Sequence, residues 1–131
     1  MKKIKEVNNK LLTEVELELM NILWSLGEAS VAEVIEQLPK NRDLAYTSVS
    51  TILRILEQKD ILKVRKEGRG HIYIPVLLKS DYEAKTVKHI VDKVFNGTPI
   101  ALVKQLFSQV DVNEDDIDQL KKLVKQLGAK K

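Results

Sequence analysis

Residues 44–75 read LAYTSVSTILRILEQKDILKVRKEGRGHIYIP and carry the clearest pattern in the chain. In their first half, apolar side chains recur at the i, i+3, i+4, i+7 spacing of an amphipathic helix. These are Val49, Ile52, Leu53 and Leu56. The opposite face groups hydroxyl side chains and one arginine, where a merely solvated helix would more often carry Glu and Lys four residues apart. That outward face consists of Thr47, Ser50, Thr51 and Arg54. The pattern predicts a helix whose free side is suited to hydrogen bonding.

The residues after this helix predict a β-hairpin. Beyond Lys59-Asp60 the period changes from helical to alternating. Two short strands, residues 61–67 and 71–76, flank Gly68-Arg69-Gly70. The tip of this hairpin is basic.

Two capping boxes mark the starts of two earlier helices. Thr13 and Glu16 form the first box, and Ser30 and Glu33 form the second. The first helix is apolar on two sides, so we expect it to be covered on both, with the C-terminal segment as one candidate partner. Trp24 lies on its second stripe and is expected to be a packed core or interface residue.

Three helices with short connections, the third followed by a hairpin, are typical of a winged helix-turn-helix. In that architecture the helix after the turn is the recognition helix. The charge distribution points the same way. Residues 4–39 contain two basic and seven acidic side chains, whereas residues 40–72 contain eight basic and four acidic ones. A local basic excess is expected of a phosphate-binding face, although charge alone fits a solvated basic surface as well.

Composition excludes several classes of protein. The chain has 131 residues and no cysteine, which rules out disulfides, thiolate metal sites and thiol catalysis. No apolar run approaches the roughly 20 residues needed to cross a bilayer, so we expect a cytoplasmic protein. The length suits one domain, or a small domain with an appended oligomerisation region.

No catalytic or metal-binding pattern is present. His71 and His89 have no acid–nucleophile arrangement or metal-ligand spacing nearby, and we expect His71 to be half-buried in the hairpin. The acidic residues 111–118 lack the alternating carboxylates and central glycine of an EF-hand, and they suit a helix N-terminus instead. We therefore predict a protein that is not an enzyme and needs no cofactor or metal.

From residue 80 onward the pattern is helical alone. We predict three helices, the first continuing through Phe95 to a stop at Asn96-Gly97. Their apolar stripes cannot enclose a stable core in about fifty residues, so a second copy of the chain is the simplest partner. We thus predict a DNA-binding domain at 1–78 and a helical dimerisation region at 79–131. The predicted dimerisation residues are Val87, Val91, Val94, Val103, Leu106, Phe107, Leu120 and Val124.

The chain resembles the BlaI/MecI/CopY group of bacterial repressors. Four stretches carry the resemblance: LTEVELELMNILW, YTSVSTILRILEQKDIL, GRGHIYIPV and KVFNG. It extends over residues 12–127. It implies a mainly α fold with a small β-hairpin, a winged-helix DNA-binding domain, a C-terminal dimerisation region, and repression by a homodimer bound to palindromic promoter operators. The residues expected to contact double-stranded DNA are Tyr46, Thr47, Ser50, Thr51, Arg54, Lys66 and Arg69.

Two departures from the family limit what it implies. Copper-responsive members carry C-terminal cysteine pairs, and this chain has none, so we do not expect copper sensing of that kind. In the antibiotic-resistance repressors a membrane sensor-protease system triggers a cut between Asn and Phe. The matching position here is Gln105-Leu106. Either the cut uses a different residue pair, or the protein leaves DNA by another route.

We interpret the chain as a DNA-binding transcriptional regulator. The alternative is a winged helix used as a protein-interaction module without sequence-specific DNA binding, since fold alone does not fix function. A protein-binding version would more often expose apolar or aromatic side chains on the third helix.

Overall fold

A computed structural model describes residues 11–129 of the protein. The polar residues 1–12 are expected from the sequence to form an N-terminal arm, and most of them lie outside this range, as do Lys130 and Lys131. The described part forms six helices and one antiparallel hairpin, which confirms the predicted fold class. The elements are α1 (Glu14–Leu26), α2 (Val31–Gln37), α3 (Tyr46–Gln58), β1 (Leu62–Glu67), β2 (Gly70–Pro75), α4 (Lys79–Lys93), α5 (Pro99–Gln109) and α6 (Glu114–Ala129).

Contacts divide the chain into two compact units, one ending at Val87 and one beginning at Lys88. The boundary predicted between residues 78 and 79 coincides with the start of α4. The first unit continues over the first half of that helix.

Both predicted capping boxes are present. The Thr13 hydroxyl accepts from the amide of Glu16 at 3.1 Å, and the Glu16 carboxylate accepts from the amide of Thr13 at 2.9 Å. Ser30 and Glu33 repeat this exchange at 3.2 and 2.9 Å. Each box satisfies amide groups that the first turn of a helix leaves without a partner, so α1 and α2 begin where the sequence predicts.

The core of the first unit lies between α1, α2, α3 and the base of the hairpin. On α3 the predicted apolar face is confirmed for Val49, Leu53 and Leu56, which have no exposed surface, while Ile52 is only half-buried. Burial of such side chains is the main force that fixes α3 in place. The core residues from the other elements are Leu19, Met20, Leu23, Ala29, Val31, Val34, Ile61, Leu62, Tyr73, Leu77 and Tyr82.

The hairpin closes more tightly than its sequence suggested. Glu67 pairs with Gly70, so the turn contains two residues, Gly68 and Arg69, and not three. Gly68 adopts φ +62°, which a residue with a side chain rarely does and which two-residue hairpin turns require. At the other end, Ile61 is outside the ladder, and its carbonyl accepts from the amides of Val76 and Leu77 at 2.8 and 3.1 Å.

A third chain segment pairs with the free edge of β2. The amide of Ala29 donates to the carbonyl of Tyr73 at 3.0 Å, and the amide of Tyr73 donates back at 2.8 Å. Ala29 lies in the connection between α1 and α2. This bridge anchors the hairpin to the helices through main-chain hydrogen bonds.

The second stripe of α1 is covered by the start of α4. The indole ring of Trp24 lies 5.9 Å from the ring of Tyr82, measured between centroids. The hydroxyl of Tyr82 in turn accepts from the amide of Leu12 at 3.0 Å. Trp24 is therefore the packing residue that the sequence predicted, and its contact comes from within the first unit.

In the second unit, taken by itself, no side chain of residues 88–129 is buried. The first of its predicted helices is shorter than expected. It ends at Lys93, which leaves Val94 and Phe95 in the turn that follows. Asn96 and Gly97 have φ of +52° and +80°, and the amide of Gly97 bonds back to the carbonyl of Val91 at 2.8 Å. Val94 and Phe95 form the turn that leads to these left-handed residues, so the helix ends before them.

The last helix begins as predicted at the acidic segment. The side chain of Asn113 accepts from the amide of Asp116 at 2.8 Å, and the Asp116 carboxylate accepts from the amide of Asn113. Glu114, Asp115 and Asp116 occupy the first turn of α6, where negative charge complements the helix dipole.

Candidate nucleic-acid interface

The free side of α3 presents the predicted polar residues. Thr47, Thr51 and Arg54 are exposed, and Ser50 is half-buried. Tyr46, at the start of the helix, keeps 57% of its surface accessible. The outward face is thus short-chained and rich in hydroxyls, with the Arg54 guanidinium as its one cation.

Ser48, which helical periodicity did not place on the polar face, adds a further hydroxyl beside it. It is exposed and lines a shallow surface depression together with Thr47, Thr51 and Ile52. Helical spacing groups Thr47 with Thr51 but places Ser48 about 100° from Thr47, so periodicity assigned it to neither face. Its small hydroxyl side chain was the available signal.

An ion pair fixes the C-terminal end of α3. The ammonium of Lys59 lies 2.9 Å from the carboxylate of Glu16, the residue that also completes the capping box of α1. Burial raises the pKa of Glu16, but the amide of Thr13 and the charge of Lys59 more than offset this, and the pKa lies below its ordinary value. One carboxylate therefore joins the start of α1 to the end of the helix that presents the polar face.

The two faces of the hairpin carry different residues. Lys66 and His71 pair across the strands and share a face with Tyr73, since residues two apart on a strand point to the same side. Burial raises the pKa of the Tyr73 phenol, and the charge of Glu57 raises it further while Arg54 lowers it. Tyr73 is also buried in the core that α3 lines, so the face with Lys66 is the one directed towards that helix.

His71 is exposed, so the expectation that it is half-buried is wrong. It pairs with Lys66 near the outer end of the hairpin, one step from the pair that flanks the turn. Along β2 the core extends only as far as Tyr73. His71 lies two residues nearer the turn and is therefore not covered by core side chains.

The basic excess of residues 40–72 is partly neutralised. Arg42 pairs with Glu18, Lys59 with Glu16, and Arg65 with Glu28, at 3.0, 2.9 and 2.7 Å. The sequence count could not show this, because each acidic partner lies in the N-terminal helices or the loop between them. Within residues 11–129, the cations of this segment without an ion-pair partner are Lys40, Arg54, Lys63, Lys66 and Arg69.

The free cations include all three that were predicted to meet DNA. Arg54 lies on α3, Lys66 on the α3-facing side of β1, and Arg69 in the turn of the hairpin, and all are exposed. The structure thus places a hydroxyl-rich helix face beside a hairpin with free positive charge. Hydroxyl groups and arginine can read base edges, and mobile cations suit phosphate.

The described residues form neither a metal-binding cluster nor a helix that could span a membrane. Between residues 11 and 129, no three His, Asp or Glu side chains are grouped so that they could hold a metal ion. None of the helices described is both long enough and apolar enough to span a bilayer.

Comparison with known proteins identifies the family. The family model described as penicillinase repressor matches residues 12–126. The methicillin resistance regulatory protein MecI of Mammaliicoccus sciuri is 27% identical over 113 residues, which are 86% of this chain and 92% of the relative. The penicillinase repressor of Bacillus licheniformis is also 27% identical, over 96% of this chain and 94% of the relative.

A solved structure with related sequence is that of the Bacillus licheniformis BlaI monomer in complex with the blaP half-operator. It has 33% sequence identity and a TM-score of 0.48, and the match covers 56% of this chain and 89% of that one. The family match confirms the resemblance drawn from the four sequence stretches, and it agrees with the prediction that the chain is a regulator and not an enzyme. The chain belongs to the penicillinase repressor family.

Proposed function

We propose that this protein is a transcriptional repressor that binds double-stranded promoter DNA. One observation carries the proposal: α3 turns Thr47, Thr51 and Arg54 to solvent beside a hairpin whose cations at Lys66 and Arg69 have no acidic partner among the described residues. Membership of the penicillinase repressor family supports DNA binding as the function of this surface.

In the proposed complex α3 lies in the major groove. Arg54 would pair with a guanine, whose O6 and N7 match the fork of the guanidinium, while the threonine methyl and hydroxyl groups contact neighbouring bases. The Ala45 side chain does not cap α3, so the first amide groups of the helix are free to meet a backbone phosphate. Tyr46 stands at the same end, with its ring exposed.

The hairpin, which forms the wing of the winged helix, supplies contacts of a second kind. Arg69 occupies a two-residue turn and Lys66 faces α3, so both can approach the phosphates that border the groove. Such contacts raise affinity for any duplex and fix the protein's position on it, whereas contacts to bases select the sequence.

The second unit is proposed to join two copies into a homodimer. The residues predicted to mediate dimerisation, of which Val87 is the last residue of the first unit, are exposed except for Val91 and Leu120, which are half-buried. Val94, Val124 and Leu106 keep 64%, 59% and 47% of their surface accessible. A helical unit with no buried side chain in its described part gains little stability alone, and pairing would cover its apolar faces.

A symmetric dimer would present two copies of α3 to two half-sites, which favours palindromic operators. Because its ligand is promoter DNA, the protein is proposed to act in the cytoplasm. The membrane sensor-protease partner stays a prediction from the family resemblance. Gln105 and Leu106, at the position of the family's cut, are exposed residues of α5.

The proposal is tested by selecting DNA from a random pool with the full-length protein. A repressor of this kind should enrich one inverted repeat and should bind it at least a thousandfold more tightly than a scrambled duplex, about the lower limit for specific binding. Equal affinity for both duplexes would overturn sequence-specific repression. Failure to bind heparin or random DNA at low salt would instead favour the protein-interaction alternative.

A further inference from the structure

Arg65 differs from the other cations of the hairpin because, among the described residues, it is paired with two carboxylates. Its guanidinium donates to both carboxylate oxygens of Glu28, at 2.7 and 3.3 Å, and to Glu67 at 3.1 Å. The two carboxylates hold the pKa of Arg65 above its ordinary value, and Arg65 holds the pKa of Glu28 below its own. A bidentate pair fixes the direction of both side chains as well as their distance.

For the orientation of the hairpin, the location of the Arg65–Glu28 ion pair matters more than the strength of its bonds. Arg65 lies on β1, opposite Ile72 of β2, and Ala29 pairs with Tyr73 on the other edge of β2. The bond from Arg65 to Glu28, the neighbour of Ala29, therefore crosses the width of the hairpin. It ties the outer strand directly to the connection between α1 and α2.

Two links thus hold the outer part of the hairpin to the helices. One is the main-chain bridge between Ala29 and Tyr73, at the point along β2 where the core ends. The other is the ion pair of Arg65 with Glu28, which lies on the face of the hairpin away from α3. An ion pair beyond the buried part of the hairpin can restrict the angle of the exposed end.

We propose that Arg65 is a positioning residue, which, through Glu28, sets the angle of the wing so that Lys66 and Arg69 reach DNA, and which makes no DNA contact of its own. The inference rests on the proposed function, because the wing angle matters for a ligand that touches both the wing and α3. It assigns Glu28 a positive role in DNA binding. Electrostatics alone would predict the opposite for an acidic residue on a DNA-binding unit.

The test compares full-length variants on a duplex selected from random DNA by the wild-type protein. The variants are Glu28→Gln, Arg65→Ala, Glu28→Arg, and the charge swap Glu28→Arg with Arg65→Glu. Glu36→Gln is the matched control, since Glu36 is an exposed carboxylate on α2 and removal of its charge leaves the brace intact. Thermal unfolding of each variant shows whether the fold is retained.

We expect Glu28→Gln to weaken binding by about twofold to fivefold, the range that loss of a partly exposed ion pair corresponds to. Glu36→Gln should leave binding unchanged or slightly tighter. The charge swap should recover most of the affinity that Glu28→Arg alone loses. Arg65→Ala should weaken binding without changing its dependence on salt, whereas loss of a phosphate contact would lower the salt slope by about one unit per half-site.

Residual dipolar couplings of the amides of residues 62–74, measured without DNA, provide a readout independent of the ligand. Glu28→Gln should change the orientation of the hairpin relative to α3 or average its couplings, and Glu36→Gln should do neither. Unchanged couplings in Glu28→Gln, tighter binding by that variant, or a lower salt slope for Arg65→Ala would each overturn the proposal. If the wild-type protein selected no DNA, the repressor function would fail, while the couplings would still decide the role of the brace.

Discussion

The indole N–H of Trp24 donates a hydrogen bond of 2.8 Å to the main-chain carbonyl of Leu77. This bond connects α1 to the segment that leaves the hairpin, and the ring of Tyr82 packs beside the indole from the first turns of α4. The first unit is therefore closed by residues that follow the hairpin in sequence. Tyr82 keeps only 8% of its surface accessible, which makes it part of the core.

The first prediction concerns the residue at which the first unit ends. A fragment of residues 1–87 should be more stable than one of residues 1–78, because only the longer one retains Tyr82. Loss of a buried aromatic side chain costs about 3–5 kcal/mol. Urea unfolding of the two fragments measures the difference. Tyr82→Ala in the longer fragment should remove most of it, and Glu83→Ala, on an exposed side of the same helix, should not. Equal stability of the two fragments would show that the unit ends at residue 78.

A second prediction concerns pH. Because the pKa of Glu16 in the folded protein lies below its ordinary value of 4.5, the ionised carboxylate stabilises the fold, and this contribution is present above about pH 5. It is lost as the pH falls through the folded-state pKa. Glu16→Gln, which can still complete a capping box, should therefore destabilise the protein at pH 7 and progressively less towards pH 3.

Unfolding free energies measured from pH 7 to pH 3 test this. Glu14→Gln is the control, since Glu14 is an exposed carboxylate of the same helical turn. A difference between Glu16→Gln and the wild type that stays constant across the range would contradict a role for the ionised carboxylate and its bond to Lys59.

The sequence was sufficient for features that depend on neighbours along the chain. The capping boxes at Thr13 and Ser30, the buried face of α3 and the hairpin all follow from spacings of two to four residues. These are the distances over which helical and strand periodicity act. The helix end at Lys93 was not predicted, because Val94 and Phe95 continue the apolar helical pattern. In the structure these two residues form the turn that leads to the left-handed residues Asn96 and Gly97.

Features that depend on contacts across the fold could not be predicted. Arg65 meets Glu28 across 37 positions of sequence, and Trp24 meets Leu77 across 53. The helical and strand periodicities of the sequence carry no information about pairs that are so far apart in the chain. The sequence therefore showed Arg65 as one more cation of a basic hairpin, although the structure places it in an internal ion pair. The predicted base-reading residues were chosen from the helical spacing and the family resemblance, and Ser48, about 100° around α3 from Thr47, fell outside that set.

The third prediction concerns assembly. Val124 is exposed in the second unit, at the centre of the apolar stripe of α6. Val124→Lys should weaken the proposed homodimer by at least tenfold, because a lysine would have to be buried without an acidic partner. Sedimentation at micromolar concentration measures the dissociation constant. Gln126→Lys adds the same charge about 200° away around the helix and should leave the dimer intact. A monomeric wild-type protein would contradict the proposal directly.

The last prediction separates the two kinds of DNA contact. Arg54 lies on the face of α3 proposed to enter the major groove, where a bidentate pair with guanine contributes about 1–3 kcal/mol of discrimination. Arg69 lies in the turn of the hairpin, where a mobile cation meets phosphate. Arg54→Ala should therefore weaken binding to the selected duplex much more than binding to a scrambled one. Arg69→Ala should weaken both by similar factors and lower the salt slope by about one unit per half-site.

Titrations of both variants on both duplexes, at several salt concentrations, distinguish these outcomes. Lys40→Ala is the control for loss of a free cation, since Lys40 lies between α2 and α3 and is assigned no DNA contact. The competing arrangement has Arg54 on the DNA backbone, with Thr47, Ser50 and Thr51 reading bases through methyl and hydroxyl groups. In that arrangement Arg54→Ala would lose affinity equally on both duplexes and would reduce the salt slope as Arg69→Ala does. Specificity would then lie in these three hydroxyl side chains, and Thr51→Ala would narrow the difference in affinity between the two duplexes.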